Sequence, residues 1–554
     1  MKILLVLLVT AAACAAPQEE AVKPPPGPSA PPVKASASGD VSVEIPAIEI
    51  KGTVAEPEAL GQPGMPLVEA KKKTTVEKQR AAVQGTKDPV QKQAQAAVLA
   101  TMLYLDSKNN KANEKQLLGD ARQALRDVAQ QAGDKNVDEI TLRLLGSYEL
   151  LLEDYPAAEK AWQTLIDKDP KSKDNPYNRA WLSFALLKQF KNAEALAAVG
   201  SEKPDDKQPE LAYVIAWAKW RNGDPAGAWQ LISVAAKGWG SNPKRDELEQ
   251  EVMQFAARAS ITLDQAVAMA NALAKARVEQ YELSAKVKLS NEERNTRTKP
   301  LQYELIAKLA LAGYGAVGRW SDGVNALTKA VEVAGDAVPP NDRPVIRYEQ
   351  ADFTVPLDTP DVAAGYAKQA VESLQACGAK CADKDKLDTI NRVYLMGRLF
   401  HILYATANDK RYYEPARDLY ALTIPLLGDA ASKTQAQKDA KVLETTFKNI
   451  KVGTGTHDKG ALDALFHRHN PEVDGCYEAV LGANPKLGGT ITVMLESDAT
   501  GVIKGASTEP KAGAAGLSAV AGCVAEHAKQ WKLPRRGMPG NTRIKLSYTL
   551  AVKK

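Results

Sequence analysis

"LRLLGSYELLLEDYPAAEKAWQTLIDKDP", residues 142–170, decides how most of this chain is read. Its large apolar residues recur at helical spacing on both sides of a short turn. Small Gly146 and Ala158 stand where two helices would approach, and Trp162 fills the space between them. The same pattern returns in "NRAWLSFALLKQFKNAEALAAVGSEKPDD" (178–206) and "ELAYVIAWAKWRNGDPAGAWQLISVAAKG" (210–238). The turns are expected at Tyr155, Phe190 and Asp224, with Ala185, Ala193 and Ala218 as further small residues and Trp181, Trp217 and Trp229 as further large ones. One helix pair cannot bury its apolar face alone, so units at a period of about 34 residues have to stack. More eroded copies stand at 305–335 and 392–427, while 288–300 and 338–361 read as loops or insertions between them.

Leu-Gly and Tyr in the first helix, Ala in the second and Pro170 at the end resemble the tetratricopeptide repeat. The resemblance is specific for residues 144–170 and rests on period more than on letters in the later units. It implies a mainly α fold, a helical solenoid over residues 86–450, with a concave surface that takes protein partners.

Upstream the text changes twice. "MKILLVLLVTAAACAA" has one Lys2, an apolar core of about seven residues and a small-residue tail, too short to span a bilayer and typical of an export signal. "AAAC" resembles the lipoprotein cleavage box, which implies a signal peptide over 1–13 and acylation of Cys14; a plain Ala-x-Ala cleavage is the alternative. Five cysteines are an odd count for an oxidising compartment, and acylating one leaves four to pair. Ala15 and Ala16 lack the Asp that marks inner-membrane retention, so the expected place is the outer membrane, facing the periplasm.

Residues 17–66 then hold 11 prolines and few large apolar groups, and residues 14–85 are expected to form a disordered, Pro-rich tether. Within it "VSVEIPAIEI" (41–50) alternates like a strand with no sheet of its own. Read functionally, it would add to the edge of a partner's sheet.

Residues 451–554 read as helix, strand, strand, helix, strand. Asn470 is a natural N-cap before Pro471; "GTITVMLES" and "VIKGAST" flank a turn; "TRIKLSYTLAV" closes the chain with a half-buried alternation. "CYEAVLGANPKLGGTITVMLESDATGVIKGAS" and "VAGCVAEHAKQWKLP" resemble the C-terminal domain shared by the AgmX and PglI gliding-motility proteins, TonB-like in plan, although Leu533 stands where that family has an aromatic residue. The resemblance implies a small α+β domain with two helices on a three-stranded sheet. Cys476 and Cys523 would then meet, closing a loop that contributes roughly 4 kcal/mol. Cys377 and Cys381, four apart, are expected to form a second, local disulfide. Taken whole, the chain resembles tetratricopeptide lipoproteins of exported gliding-motility complexes, the GltE type.

Net charge is +5, all of it within residues 451–554, which is too little for a nucleic-acid footprint. Lys529, Lys532, Arg535, Arg536, Arg543 and Lys545 form a basic group beside the last strand. It reads either as a solvated face or as an edge that takes an incoming strand with acidic flanks. "HRH" (467–469) reads as a solvated cap rather than a ligand pair. No catalytic, metal or cofactor constellation stands out, so no enzyme is expected. The expected function is a lipid-anchored periplasmic scaffold of an envelope-spanning complex, with other envelope proteins and possible contact with peptidoglycan as partners. The alternative is TonB-like transport coupling or envelope maintenance through an outer-membrane partner.

Overall fold

The computed structural model describes residues 40–60, 65–69, 74–133, 135–240, 242–259, 261–407, 409–449, 459–509, 515–536 and 539–553. The expected signal peptide, Cys14 and the first part of the tether lie outside the described residues. The chain divides into two compact units: Ala55–Phe255, and the segments that flank it, up to Val54 and from Ala256 onward.

Ala55–Phe255 is built of paired helices: α1 (Val76–Gly85), α2 (Pro89–Asn109), α3 (Glu114–Ala132), α4 (Glu139–Leu151), α5 (Tyr155–Lys168), α6 (Asn175–Lys188), α7 (Asn192–Val199), α8 (Pro209–Arg221), α9 (Pro225–Gly238) and most of α10 (Arg245–Arg258). Starts are set by Asp side chains that accept a backbone N–H of the first turn: Asp138 from Thr141, Asp154 from Ala157 and Asp224 from Gly227, the last two beside Pro156 and Pro225. The turns within pairs share one geometry. Glu153, Phe190 and Gly223 take positive φ, and the next residue's N–H reaches back to a carbonyl of the last helical turn, from Asp154 to Glu149, Lys191 to Leu186 and Asp224 to Lys219. A Cβ on Gly146 would stand 2.7 Å from the Trp162 ring, so glycine is what lets α4 and α5 close. Ala158, Ala185 and Ala218 are fully buried as expected, but Ala193 is exposed and Ala195 takes the inward position. The helices begin at Val76, not at residue 86. Thr75 caps α1 and Arg80 pairs with Asp120 at 2.6 Å, which corrects the tether boundary at residue 85.

The second unit continues with α11 (Leu263–Ala285), α12 (Asn291–Lys308), α13 (Trp320–Ala334), α14 (Asp342–Thr354), α15 (Pro360–Cys377), α16 (Asp383–Ala407), α17 (Tyr413–Thr423), α18 (Ala430–Asn449), α19 (Lys459–His467), α20 (Asn470–Leu481) and α21 (Ala515–Ala528). The stretches expected as insertions are largely helical. Ser290 and Glu293 make a capping box that starts α12, and Pro344 falls in the first turn of α14, where its missing N–H has no intrahelical partner to lose. Asn470 is the first residue of α20 and His469 its cap.

Among the described residues the sheet has five strands rather than three. β1 (Val41–Glu44) and β2 (Ile48–Gly52) follow one another along one edge of β5 (Thr542–Val552), both parallel to it. β3 (Gly489–Ser497) is antiparallel on its other side, and β4 (Ile503–Glu509) is antiparallel beyond β3. Strands β1 and β2 come from the stretch that composition assigns to a disordered tether. Proline density is a local signal, whereas the partner of this segment lies 500 residues away. One apolar core joins Val41, Val43, Ile45, Ile48 and Ile50 to the sheet, to α20 and α21, and to helices from α14 to α18. The terminal α+β segment is therefore not a separate body beginning at residue 451. Cys476 and Cys523 are bonded between α20 and α21, and Cys377 and Cys381 are bonded at the end of α15.

Candidate peptide-binding sites

Two sites in this molecule hold an extended stretch of polypeptide, and both stretches belong to the chain itself.

The first is the edge of β5. Thr542, Ile544, Leu546, Tyr548 and Leu550 alternate inward, which leaves the backbone of β5 free to pair on both sides. β3 takes one side. On the other, Val41 pairs with Thr542, Glu44 with Lys545, Ile48 with Tyr548 and Gly52 with Val552. The register slips by one residue between β1 and β2, where exposed Pro46 and Ala47 form a bulge, so the buried positions run 41, 43, 45 and then 48, 50. Each of these Val and Ile side chains removes enough apolar surface from water to contribute about 1.5–3 kcal/mol as an upper figure. Polar contacts fix the ends: Asn541 N–H donates to Asp40 Oδ1 at 2.8 Å, Lys545 Nζ lies 3.1 Å from Glu44, and Lys553 N–H donates to the Gly52 carbonyl at 2.9 Å. Beyond β2, α20 carries Asp474 and Glu478 beside Arg258. Burial pushes the Asp474 carboxyl up to about 7, helped by the neighbouring Glu478, and Glu478 is raised by burial as well.

The six basic residues singled out above do not make one exposed face. Lys545 pairs with Glu44 of β1, and Arg543 lies 3.8 Å from Glu496 of β3. Lys529, just past α21, pairs with Glu526 of that helix, and Lys532 is exposed next to the strand-like contact of its backbone with Val502. Arg535 gives its backbone N–H to Asp409 at 3.0 Å. Arg536 is buried, with its guanidinium on the Asn541 carbonyl at 3.2 Å and its pKa lowered by that burial. The expected open edge of β5 is therefore closed, by a segment carrying Asp40, Glu44 and Glu49. His469 is likewise not solvated. It is buried, stacks on Trp531 at 4.3 Å and shares Glu472 with Trp320 and Trp531, while His467 is exposed.

The second site lies among the paired helices of Ala55–Phe255. Residues 55–60 run through it without helix or strand, burying Pro57, Ala59 and Leu60. Their backbone is read by side chains. Tyr213 on α8 accepts the Ala59 N–H at 3.0 Å and donates to Glu251 on α10 at 3.0 Å; Asn242 Nδ2 donates to the Ala59 carbonyl at 2.9 Å; Lys244 donates to the Glu58 carbonyl at 2.9 Å; and Arg221 donates to the Ala55 carbonyl at 2.7 Å. Lys188 on α6 pairs with Glu56. Trp217 Nε1 donates to the other Glu251 oxygen at 3.2 Å. Burial pushes the Glu251 carboxyl up to about 8 against these hydrogen bonds, and lowers Arg221 to about 10. The Arg221 guanidinium also lies over the Phe190 ring at 4.8 Å.

The repeat pattern announced the helices but not this set. A signal was available: Leu248, Glu251, Val252 and Phe255 share one helical stripe, so Glu251 is a carboxylate on an apolar face that needs partners.

No protein-family model and no curated protein matches this sequence. The tetratricopeptide and gliding-motility resemblances therefore stand on the motifs quoted above. Among solved structures the chain is similar to one described as "Structure of Naa15/Naa10 bound to HypK-THB", at 12% identity over 72% of this chain and 76% of that one, with a TM-score of 0.19. At that score the likeness adds nothing to the fold described above. Among the described residues no helix is long and apolar enough to cross a membrane.

Proposed function

We propose that this chain is a non-enzymatic, lipid-anchored scaffold of an envelope complex, serving gliding motility, that binds extended segments of its partner proteins. The observation that supports this reading most is the set of side chains on α8, α10 and the loop between α9 and α10 that grips residues 55–60. Tyr213, Arg221, Asn242 and Lys244 address backbone groups rather than a particular side chain, which suits a surface that receives polypeptide. Stacked helix pairs supply the rigid frame such a surface needs. Acylation of Cys14 would place the scaffold on the periplasmic side of the outer membrane, and the Pro-rich residues before Asp40 would give it reach.

Two experiments test this. Crosslinking intact cells, capturing the full chain and mapping the crosslinks should find exported envelope proteins joined to peptides of α6, α8 or α10. Crosslinks confined to cytosolic proteins would sink the scaffold reading. Replacing Cys14→Ser should move the chain from the outer-membrane fraction to the soluble periplasm, and an unchanged distribution would remove the anchor.

A further inference from the structure

The disulfide between α20 and α21 has a third metal-ligating group beside it. His527 follows Cys523 by four residues on α21, one helical turn on, so both side chains lie on one face of the helix. One ligand atom from each of Cys476, Cys523 and His527 lies within 4.8 Å of the other two. We propose that these three residues form a zinc site, filled when the cysteine pair is reduced and emptied when it is oxidised. This goes beyond the scaffold reading and does not depend on it.

The geometry needs little adjustment. Tetrahedral zinc holds thiolate sulfur at about 2.3 Å and imidazole nitrogen at about 2.0 Å, which places neighbouring donors roughly 3.5–3.8 Å apart. Donors already within 4.8 Å reach that arrangement by side-chain rotation, because the helices are held by more than the bond. Val473, Tyr477 and Leu481 of α20 and Val520, Val524 and Ala528 of α21 all belong to one apolar core, and the two cysteine Cα atoms are 5.8 Å apart.

Burial is graded as an open metal site requires. Cys476 is 3% exposed, whereas Cys523 and His527 are half-buried. The ion would have protein on its inner side and solvent on its outer one, which leaves the fourth position to water. Two thiolates and an imidazole select a thiophilic ion over magnesium or calcium, which take oxygen ligands.

The exchange between the two states needs only a thiol carrier. A dithiol reductant opens the Cys476–Cys523 bond and becomes a disulfide itself, while each cysteine takes up one hydrogen; zinc then binds as both thiols release their protons. In reverse, a disulfide oxidant takes two electrons from the two thiolates and two protons from solvent, leaves as a dithiol, and the S–S bond re-forms as zinc departs. The link between α20 and α21 is kept in both states, by the covalent bond in one and by the ion in the other.

The test uses the full-length, untagged chain with Cys14→Ser, reduced and then freed of reductant. It is titrated with cobalt(II), whose thiolate complexes absorb strongly, and then with zinc as competitor. The reduced chain should show thiolate–cobalt absorption that zinc discharges, and the oxidised chain should show none. Cys523→Ser should abolish the absorption and Cys381→Ser should leave it intact. Changing groups that only support a metal ligand costs 10–100-fold in affinity, so His527→Ala should weaken zinc binding by at least about tenfold. It should leave the melting temperature of the oxidised chain unchanged, a split that a merely structural histidine does not give. A reduced, folded chain without thiolate–cobalt absorption overturns the proposal. So does equal zinc affinity in the His527→Ala chain, or absorption lost in Cys381→Ser and kept in Cys523→Ser. Should reduction unfold the region, circular dichroism decides: zinc should restore the melting transition of the Cys14→Ser chain and not that of the same chain with His527→Ala, and failure to restore it overturns the proposal. None of these outcomes alters the crosslinks expected at α6, α8 and α10.

Discussion

Replacing Glu251→Gln should weaken the pH dependence of stability of the helical unit Ala55–Phe255. Glu251 lies buried on α10 between the Tyr213 hydroxyl and the Trp217 indole, and burial pushes its carboxyl up to about 8. In the unfolded chain a glutamate titrates near 4.3. The native state thus binds a proton that the unfolded state has already released over the interval between those values. The group's favourable contribution is fully present below about pH 4 and is lost progressively as the pH rises to about 8. A gap of about 3.7 pH units corresponds to at most about 5 kcal/mol, and relaxation around a buried carboxylate brings the expected loss to about 2–3 kcal/mol. Glutamine keeps an acceptor for Tyr213 and cannot ionise. At pH 5 the variant should therefore match the wild type within about 1 kcal/mol, and at pH 8.5 it should be more stable by about 2–3 kcal/mol. Urea denaturation followed by circular dichroism at the two pH values provides the comparison, taken as the difference between variant and wild type so that other titrating groups cancel. Equal pH slopes for the two proteins would refute the placement of Glu251 as a buried carboxyl.

Asp474→Asn should behave with the same sign in the other unit, stabilising by about 1–2 kcal/mol at pH 8 and by little at pH 4, read from the same denaturation curves. Gly146→Val should cost about 1–3 kcal/mol, because its side chain would enter the Trp162 ring; a shift in melting temperature of the purified variant measures this, and an unchanged melt would mean α4 and α5 do not close there. Cys476→Ser should lower stability by about 2–4 kcal/mol, read from denaturation curves of the unreduced proteins; retention of full stability would show that the apolar core around α20 and α21 suffices without the bond.

Much of the helical part is readable because its determinants are local. Asp caps, prolines at helix starts and small residues opposite tryptophans all act within one repeat, so residues 142–238 announce their three helix pairs. The exceptions follow the same logic. Residues 338–361 carry prolines that suggest a loop, yet Pro344 falls where a helix tolerates it, and the stretch folds as α14 because tertiary packing of Ile346, Ala351 and Phe353 overrides the local hint. The strands of the last hundred residues were legible from alternation alone. What alternation could not supply was the partner. "VSVEIPAIEI" and "TRIKLSYTLAV" each read as a strand seeking an edge, and each basic or acidic position had a bland alternative as a solvated charge. Their pairing with each other depends on contacts between the two ends of the chain, which no local pattern encodes. The groove around Tyr213 was hidden for a related reason: its polar residues are few, scattered over α8, α10 and the loop between α9 and α10, and meaningful only once residues 55–60 lie among them.

The central claim is that residues 41–60, which composition assigns to a tether, are instead held as extended ligands, by β5 and by the groove of α8 and α10. Hydrogen–deuterium exchange of the full-length protein, read by mass spectrometry on peptides covering residues 40–60, measures this directly, because amides such as Ile45, bonded to the Lys545 carbonyl, and Ala59, bonded to the Tyr213 hydroxyl, exchange only when the segment lets go. The account predicts exchange slower than that of a random chain by at least about tenfold at these amides, with Tyr213→Phe accelerating the Ala59 peptide and Gly52→Val, whose side chain would enter the Tyr477 ring, the β1–β2 peptides. Exchange of the whole stretch at random-chain rates in the wild-type protein would contradict it.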